Sequence, residues 1–417
     1  MKRKDFLIKT AGAFGAFTII PRHVLGGNGF TAPSDQLTKA VIGVGSMGRG
    51  HLNYPGSKVI AICDVDQNHL NRAAKLVDSD VRMYTDYREV LEQDDVDIVH
   101  IVTPPHWHGI IAVDAARAGK DIWCEKPMTR TIGEGQKVVE EVQRNGSIFR
   151  LNTWFRFRSN FYGFNSPVRP IKKLVENRVF GWPLKVTINK NTGFDWQFNW
   201  KGKTQLQPQW IPESLNYNMW LGPAPYKPYH EHRVHSTFRG YWDYDGGVLG
   251  DMGQHYLDPV QYLLEKDHTN PVSIVADAPQ QHPDAATTWR RVEMTFQDGC
   301  KIVLDGEYRD KDAAFIEGPN GKLFRGLRSD IPNIRKLIDS LPDSEPQVTD
   351  FSEAVRHRKK FALNELNGHR SCNMVNLSNI AIRLGRELEF DPETQRFVND
   401  EAANRMINQP MRSPWHL

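Results

Sequence analysis

Between Leu37 and about Gly146 the chain alternates short apolar runs with amphipathic stretches. "KAVIGVG", "VIAICD", "VDIVHIVTP" and "DIWCE" are nearly continuous in apolar residues, as expected of strands buried on both faces. Between them lie "NHLNRAAKLV", "YREVLEQ" and "IIAVDAARAG", which place apolar residues at helical spacing. Strand–helix alternation of this period predicts a doubly wound parallel α/β sheet, with residues 36–150 as one domain. Beyond Arg150 the texture changes. In "RVEMTFQDGCKIVLDGEY" the residues Val292, Met294 and Phe296 share one face, and "QDGC" supplies a hairpin turn. "EGPNGKLF" carries a second turn signal at Asn320-Gly321. Residues 151–417 are therefore expected to form an α+β domain on a large, open, mostly antiparallel sheet. Its tail from Phe351 reads as helices, including "MVNLSNIAIRLGREL".

A length of 417 residues suits this division into two domains. Lys2, Arg3, Lys4, Lys9 and Arg22 against Asp5 give residues 1–27 a charge of +4, whereas the whole chain carries only +3. The remainder is close to neutral, which leaves no electrostatic case for a nucleic-acid partner. The basic start is followed by a short apolar stretch, Ala11–Ile20, and by small residues near Gly26. That is the layout of an export signal, too short to span a bilayer, so stable membrane insertion is not expected. "RKDFL" resembles the twin-arginine motif with Lys4 in the second arginine position. A periplasmic location is expected, the alternative being an uncleaved extension of a cytoplasmic enzyme. Four widely spaced cysteines form no CxxC and indicate neither a zinc ribbon nor a disulfide framework.

"VIGVGSMGRGHL" places Gly43, Gly45 and Gly48 in GxGxxG spacing after a strand and at the start of a helix. The first glycine permits the turn, the second lets the backbone approach a pyrophosphate, and the third allows close helix–strand packing. Asp64 closes the next strand. Its carboxylate is placed for the adenosine ribose hydroxyls and would repel a 2′-phosphate, so NAD is expected rather than NADP.

In "YWDYDGGVLGDMGQHYLD" an aspartate and a histidine, Asp251 and His255, stand four apart on one helix face among glycines. This motif, "CEKP" at Cys124–Pro127 and "TPPHWH" at Thr103–His108 together resemble the Gfo/Idh/MocA oxidoreductases. "WLGPAP" at Trp220–Pro225 and "GHRS" at Gly368–Ser371 extend the likeness from about residue 37 to the C-terminus. The resemblance implies hydride transfer between nicotinamide and a secondary alcohol of a sugar or cyclitol. It assigns Lys126 to the reacting hydroxyl and makes Asp251 and His255 the acid–base pair, with His255 the proton acceptor. It further implies cofactor contacts at Ser46, Met47, Thr103, Pro104, Glu125 and Lys126, with His106 and His108 lining the nicotinamide pocket. A histidine titrates near neutrality and suits removal of a hydroxyl proton, while an ammonium stabilises the developing alkoxide.

Seven of the eleven tryptophans lie between Trp154 and Trp242, a composition suited to stacking on sugar faces. Asn152, Arg156 and Arg158 beside them are expected to bind substrate hydroxyls together with Lys126, Asp251 and His255. Asp258 is expected to be structural. "HWH" and "YHEHRVH" raise the question of a metal, but no carboxylate constellation accompanies them and the resemblance implies chemistry without one; no metal is expected. Three functions remain: an NAD-dependent sugar, glycoside or cyclitol oxidoreductase, with a permanently bound, recycled cofactor as one form of it; a glycosidase that uses NAD transiently; and a non-catalytic sugar- and NAD-binding protein. The resemblance also implies a homo-oligomer paired through the open sheet.

Overall fold

The computed structural model describes residues 36–417 apart from 154, 158–163, 165, 198 and 199. The expected export signal, Trp154 and Arg158 lie outside the described residues.

The N-terminal sheet has six parallel strands: β1 (Thr38–Ile42), β2 (Lys58–Cys63), β3 (Arg82–Tyr84), β4 (Ile98–Ile101), β5 (Asp121–Glu125) and β6 (Phe149–Asn152). Their order is β3-β2-β1-β4-β5-β6, a doubly wound sheet whose direction of winding reverses between β1 and β4. Every residue of β4 and β5 is buried, as expected for strands covered by helices on both faces. Ligands of such sheets bind outside the carboxyl ends of the strands at the reversal. Asp64, Thr103 and Lys126 follow the ends of β2, β4 and β5 respectively, and the glycine loop follows β1. One topology thus brings four distant segments to one edge.

The second sheet has nine strands in the order β13-β12-β11-β7-β10-β9-β8-β14-β15. They are β7 (Lys185–Ile188), β8 (Ser273–Asp277), β9 (Arg291–Thr295), β10 (Lys301–Asp305), β11 (Ile316–Gly318), β12 (Gly321–Phe324), β13 (Arg328–Ser329), β14 (Leu388–Asp391) and β15 (Arg396–Phe397). Only β7 and β10 pair in parallel; the other neighbours are antiparallel. Val292, Met294 and Phe296 are all buried, in line with the alternation. The hairpin at 316–324 forms one residue earlier than the Asn-Gly signal suggested. Gly318 pairs with Gly321, so Pro319 and Asn320 make the turn.

Three expectations are corrected. The first sheet runs to Asn152, past the expected boundary at 150, because Glu125 pairs with Asn152. The domains are also not contiguous in sequence: Phe351, Phe361, Leu363 and Cys372 pack in the first domain's core, and Leu151 N–H donates to the Leu363 carbonyl. Finally, the tail is not helical throughout, since β14 and β15 close one edge of the second sheet.

Three helices matter for the site. Helix α1 (Ser46–Leu52) follows the glycine loop. Helices α2 (Gly247–Leu263) and α3 (Glu365–Leu384) are buried almost all round. Such helices belong to a core rather than a surface. The chain enters α2 through Gly246 (φ 154°) and Gly247 (φ 70°), backbone conformations that a side chain would resist.

Candidate active site

A cleft of about 400 Å³ runs along the carboxyl edge of the first sheet. At one end stand the glycine loop and Asp64; at the other stand Glu125, Lys126 and Asp251. The glycines divide the labour as the sequence implied. A Cβ on Gly48 would lie 1.8 Å from the Gly43 carbonyl oxygen, so this position is closed by packing. A Cβ on Gly45 would meet only His69, at 3.6 Å, so its space belongs to the cleft. We therefore expect Gly48→Ala to lower the melting temperature. Gly45→Ala should melt like the parent yet bind NADH at least about tenfold more weakly by fluorescence titration, a loss of about 1.4 kcal/mol.

Asp64 is held in place by its neighbours. Its Oδ2 accepts from Val44 N–H at 2.9 Å and lies 3.2 Å from His69 Nδ1, and its Oδ1 accepts from Asp66 N–H at 2.9 Å. Ser46, Met47, Thr103 and Pro104 also wall the cleft.

At the other end Lys126 Nζ donates to Asp251 Oδ1 at 2.8 Å and to its backbone carbonyl at 2.7 Å. Arg239 Nε donates to the same Oδ1 at 2.9 Å. Burial opposes ionisation of Asp251, but Lys126 and Arg239 outweigh it and hold the carboxyl well below the usual carboxylate range. An ammonium has three donors, and two are used here, which leaves one for a substrate oxygen.

His255 lies one turn beyond Asp251 on α2, buried, with its ring centroid 5.0 Å from that of Phe155. It is not among the described residues that wall the cleft, whereas Asp251 is.

Several expected site residues do other work. His106 is buried with Nε2 donating to the Trp220 carbonyl at 2.9 Å, and burial pushes its pKa down to about 3. It is its neighbour Trp107 that reaches the cleft wall. His108 lies between two carbonyls, with Nδ1 2.7 Å from Pro127 O and Nε2 2.8 Å from Thr103 O, and so ties the "TPP" loop to the "EKP" loop. Asn152 is buried and donates to Glu125 Oε1. Glu125 lies at the centre of a buried chain in which His51 Nε2 is 2.9 Å from Glu125 Oε1 and His51 Nδ1 is 3.0 Å from His100 Nδ1. Burial would raise the Glu125 pKa, but His51, Lys126 and Asn152 bring it down to about 2.

Arg156 does not reach the cleft. Its guanidinium grips Asp258 at 2.7 and 3.1 Å and Asp267 at 2.8 Å through both terminal nitrogens. Each of its three nitrogens donates to a carboxylate inside the second domain, so the expectation of a substrate contact is corrected, and Asp258 is structural as expected.

Two charged residues beside Asp251 in the cleft escaped the sequence reading: Arg239 and Asp245. Arg239 stands in a polar, irregular stretch that carries no periodic signal. Asp245 precedes the two glycines of α2 and is buried, and its carboxyl has no hydrogen-bond partner among the described residues. Burial, then the negative charge of Asp251, pushes its pKa up to about 8. The folded state therefore holds a proton that the unfolded chain releases near pH 4. Stability due to Asp245 should fall as pH rises from about 4 to 8 and level off above. Asp245→Asn should flatten that slope, read as the difference in melting temperature between variant and parent across the pH range.

Two family profiles cover the chain. "Oxidoreductase family, NAD-binding Rossmann fold" matches residues 37–153, and "Oxidoreductase family, C-terminal alpha/beta domain" matches residues 164–417. The chain belongs to the Gfo/Idh/MocA oxidoreductase family. Its N-terminal domain is accordingly an NAD-binding Rossmann domain. Inositol 2-dehydrogenase of Salmonella paratyphi B is 27% identical over 156 residues, 36% of this chain. The aligned part is 44% of that relative's length, so the chain matches less than half of it. Glycosyl hydrolase family 109 protein 1 of a Shewanella species is 33% identical over 170 residues, covering 34% of this chain and 37% of the relative. Among solved structures, the WlbA dehydrogenase of Bordetella pertussis, in complex with NADH and UDP-GlcNAcA, superimposes with a TM-score of 0.58 at 16% identity. That match covers 85% of this chain and 99% of the other, and it speaks for the fold.

Proposed function

We propose that the protein is an NAD-dependent oxidoreductase acting on a secondary alcohol of a sugar, glycoside or cyclitol, with 3-keto products as one outcome. The observation that carries this reading is the Lys126–Asp251–Arg239 cluster at the opposite end of the cleft from Asp64. NAD, when bound, supplies the hydride acceptor; Gly43, Gly45, Ser46, Met47, Gly48 and Asp64 would hold its adenosine and pyrophosphate half. The third N–H of Lys126 binds the reacting oxygen and stabilises charge that develops there. Asp251, kept ionised by two cations, orients Lys126 and offers an acceptor to a neighbouring hydroxyl. His255, one turn from Asp251 on the same helix face, takes the hydroxyl proton.

The proposal extends to location and assembly: export through residues 1–27, a carbohydrate partner and a homo-oligomer paired through the second sheet. Outside the cytoplasm free NAD is scarce, so the cofactor is held tightly and recycled by a second sugar or carbonyl. Protein purified without added cofactor, then denatured, should release about one equivalent of NAD(H). Protein that emerges empty and binds NAD weakly would overturn the recycling mechanism and leave a conventional dehydrogenase.

The Shewanella match favours a second reading, a glycosidase that oxidises, eliminates the aglycone and reduces again. Release of an aglycone from a chromogenic glycoside without net NADH would establish it in place of the first.

A further inference from the structure

We propose that Asp66, His69 and His235 form a site for a divalent transition-metal ion that pins the second domain to the first at the adenosine end of the cleft. One ligand-type atom from each of the three lies within 4.8 Å of the others. Asp66 and His69 belong to the first domain, just past β2. His235 comes from the second domain, from the "YHEHRVH" stretch, whose own carboxylate, Glu231, is not part of the cluster. The fold supplies a carboxylate from the first domain instead, Asp66.

Three observations point to a ligand rather than to an incidental cluster. Asp66 Oδ2 and His235 Nε2 are 3.2 Å apart, close to the ligand–ligand edge of roughly 3.3–3.5 Å in a tetrahedral site with bonds of about 2.0–2.2 Å. His69 Nδ1 faces the Asp64 carboxylate, the outer-shell arrangement that fixes the tautomer of a metal-bound histidine and leaves Nε2 with its lone pair. Finally, His235 adopts a left-handed backbone (φ 49°), uncommon for a residue with a side chain and typical of positions held for a task.

The surroundings explain what the ion would do. Around the same corner Gln67 N–H donates to the Ser214 carbonyl at 2.8 Å and Asn216 N–H to the Val65 carbonyl at 2.9 Å, so the two domains already touch there. Both histidines also wall the cleft. Two nitrogens and one carboxylate oxygen suit Zn²⁺, Co²⁺ or Ni²⁺ and leave a coordination position for water.

The test uses the full-length protein stripped with a chelator and titrated with Co²⁺, whose visible absorption reports its ligands. We expect one equivalent to bind with the spectrum of a four- or five-coordinate ion, to be displaced by Zn²⁺, and to raise the melting temperature. His235→Ala and Asp66→Asn, checked for folding by circular dichroism, should each weaken Co²⁺ binding by more than about 100-fold. Absence of a stoichiometric Co²⁺ spectrum in the parent would overturn the site, as would equal binding by parent and folded variants. A variant that fails to fold leaves the parent's spectrum and Zn²⁺-dependent melting shift to decide the matter. None of these readouts requires turnover, so the result is independent of the proposed activity.

Discussion

Lys126→Met should cut turnover by about 10²–10³-fold, the loss expected when a donor to a developing oxyanion is removed. The same change should leave NADH binding measurable, because the adenosine half of the cleft does not involve Lys126. It should also lower stability. Lys126 and Asp251 are both about nine-tenths buried, and breaking a buried pair leaves an uncompensated charge. Such a change typically costs about 3–5 kcal/mol; Arg239 remains on Asp251 Oδ1, so the lower end is expected. Three measurements check this: turnover on the best sugar or glycoside found by screening, NADH fluorescence and thermal melting. Turnover above a tenth of the parent's would remove Lys126 from the chemistry.

Arg156→Met should give the opposite division of effects. The Arg156 and Asp258 side chains are fully buried against each other, with Asp267 on the same guanidinium. Removing the cation leaves Asp258 buried without its partner, and the expected loss is about 3–5 kcal/mol of stability. The folded fraction should keep the parent's KM, since each nitrogen of Arg156 donates to a carboxylate that does not wall the cleft. A normal melting temperature together with a raised KM would return Arg156 to the substrate site.

These two residues show how far sequence reasoning reaches. Lys126 and Arg156 both stand close after strands of the first sheet. Lys126 could be assigned because "CEKP" is local: strand end and functional side chain are neighbours in the chain. The partners of Arg156, Asp258 and Asp267, are more than a hundred residues away, so an arginine near tryptophans looked like a sugar contact. His106 and His108 failed for the same reason, since their carbonyl partners become visible only once Trp220 and Pro127 are in place. Arg239 left no local pattern, and Asp245, although inside the quoted motif, gave no sign there of its burial; both show their role only beside Asp251 in the folded cleft.

By itself the sequence determined the alternation of strand and helix, the phosphate loop, Asp64 at the end of β2, and the helix that carries Asp251 and His255. These are short-range features: hydrophobic period, glycine spacing and the position of a residue at the end of its own element. Tertiary structure decided the rest. It set Lys126 against Asp251 across 125 residues, gave Asp251 its second cation, closed Arg156 into an ion-pair cluster, and returned residues 351–372 to the first domain's core. It also brought Asp66 and His69 to His235. Charge pairing and burial act through space with no fixed period along the chain, and for that reason they could be read only from the folded molecule.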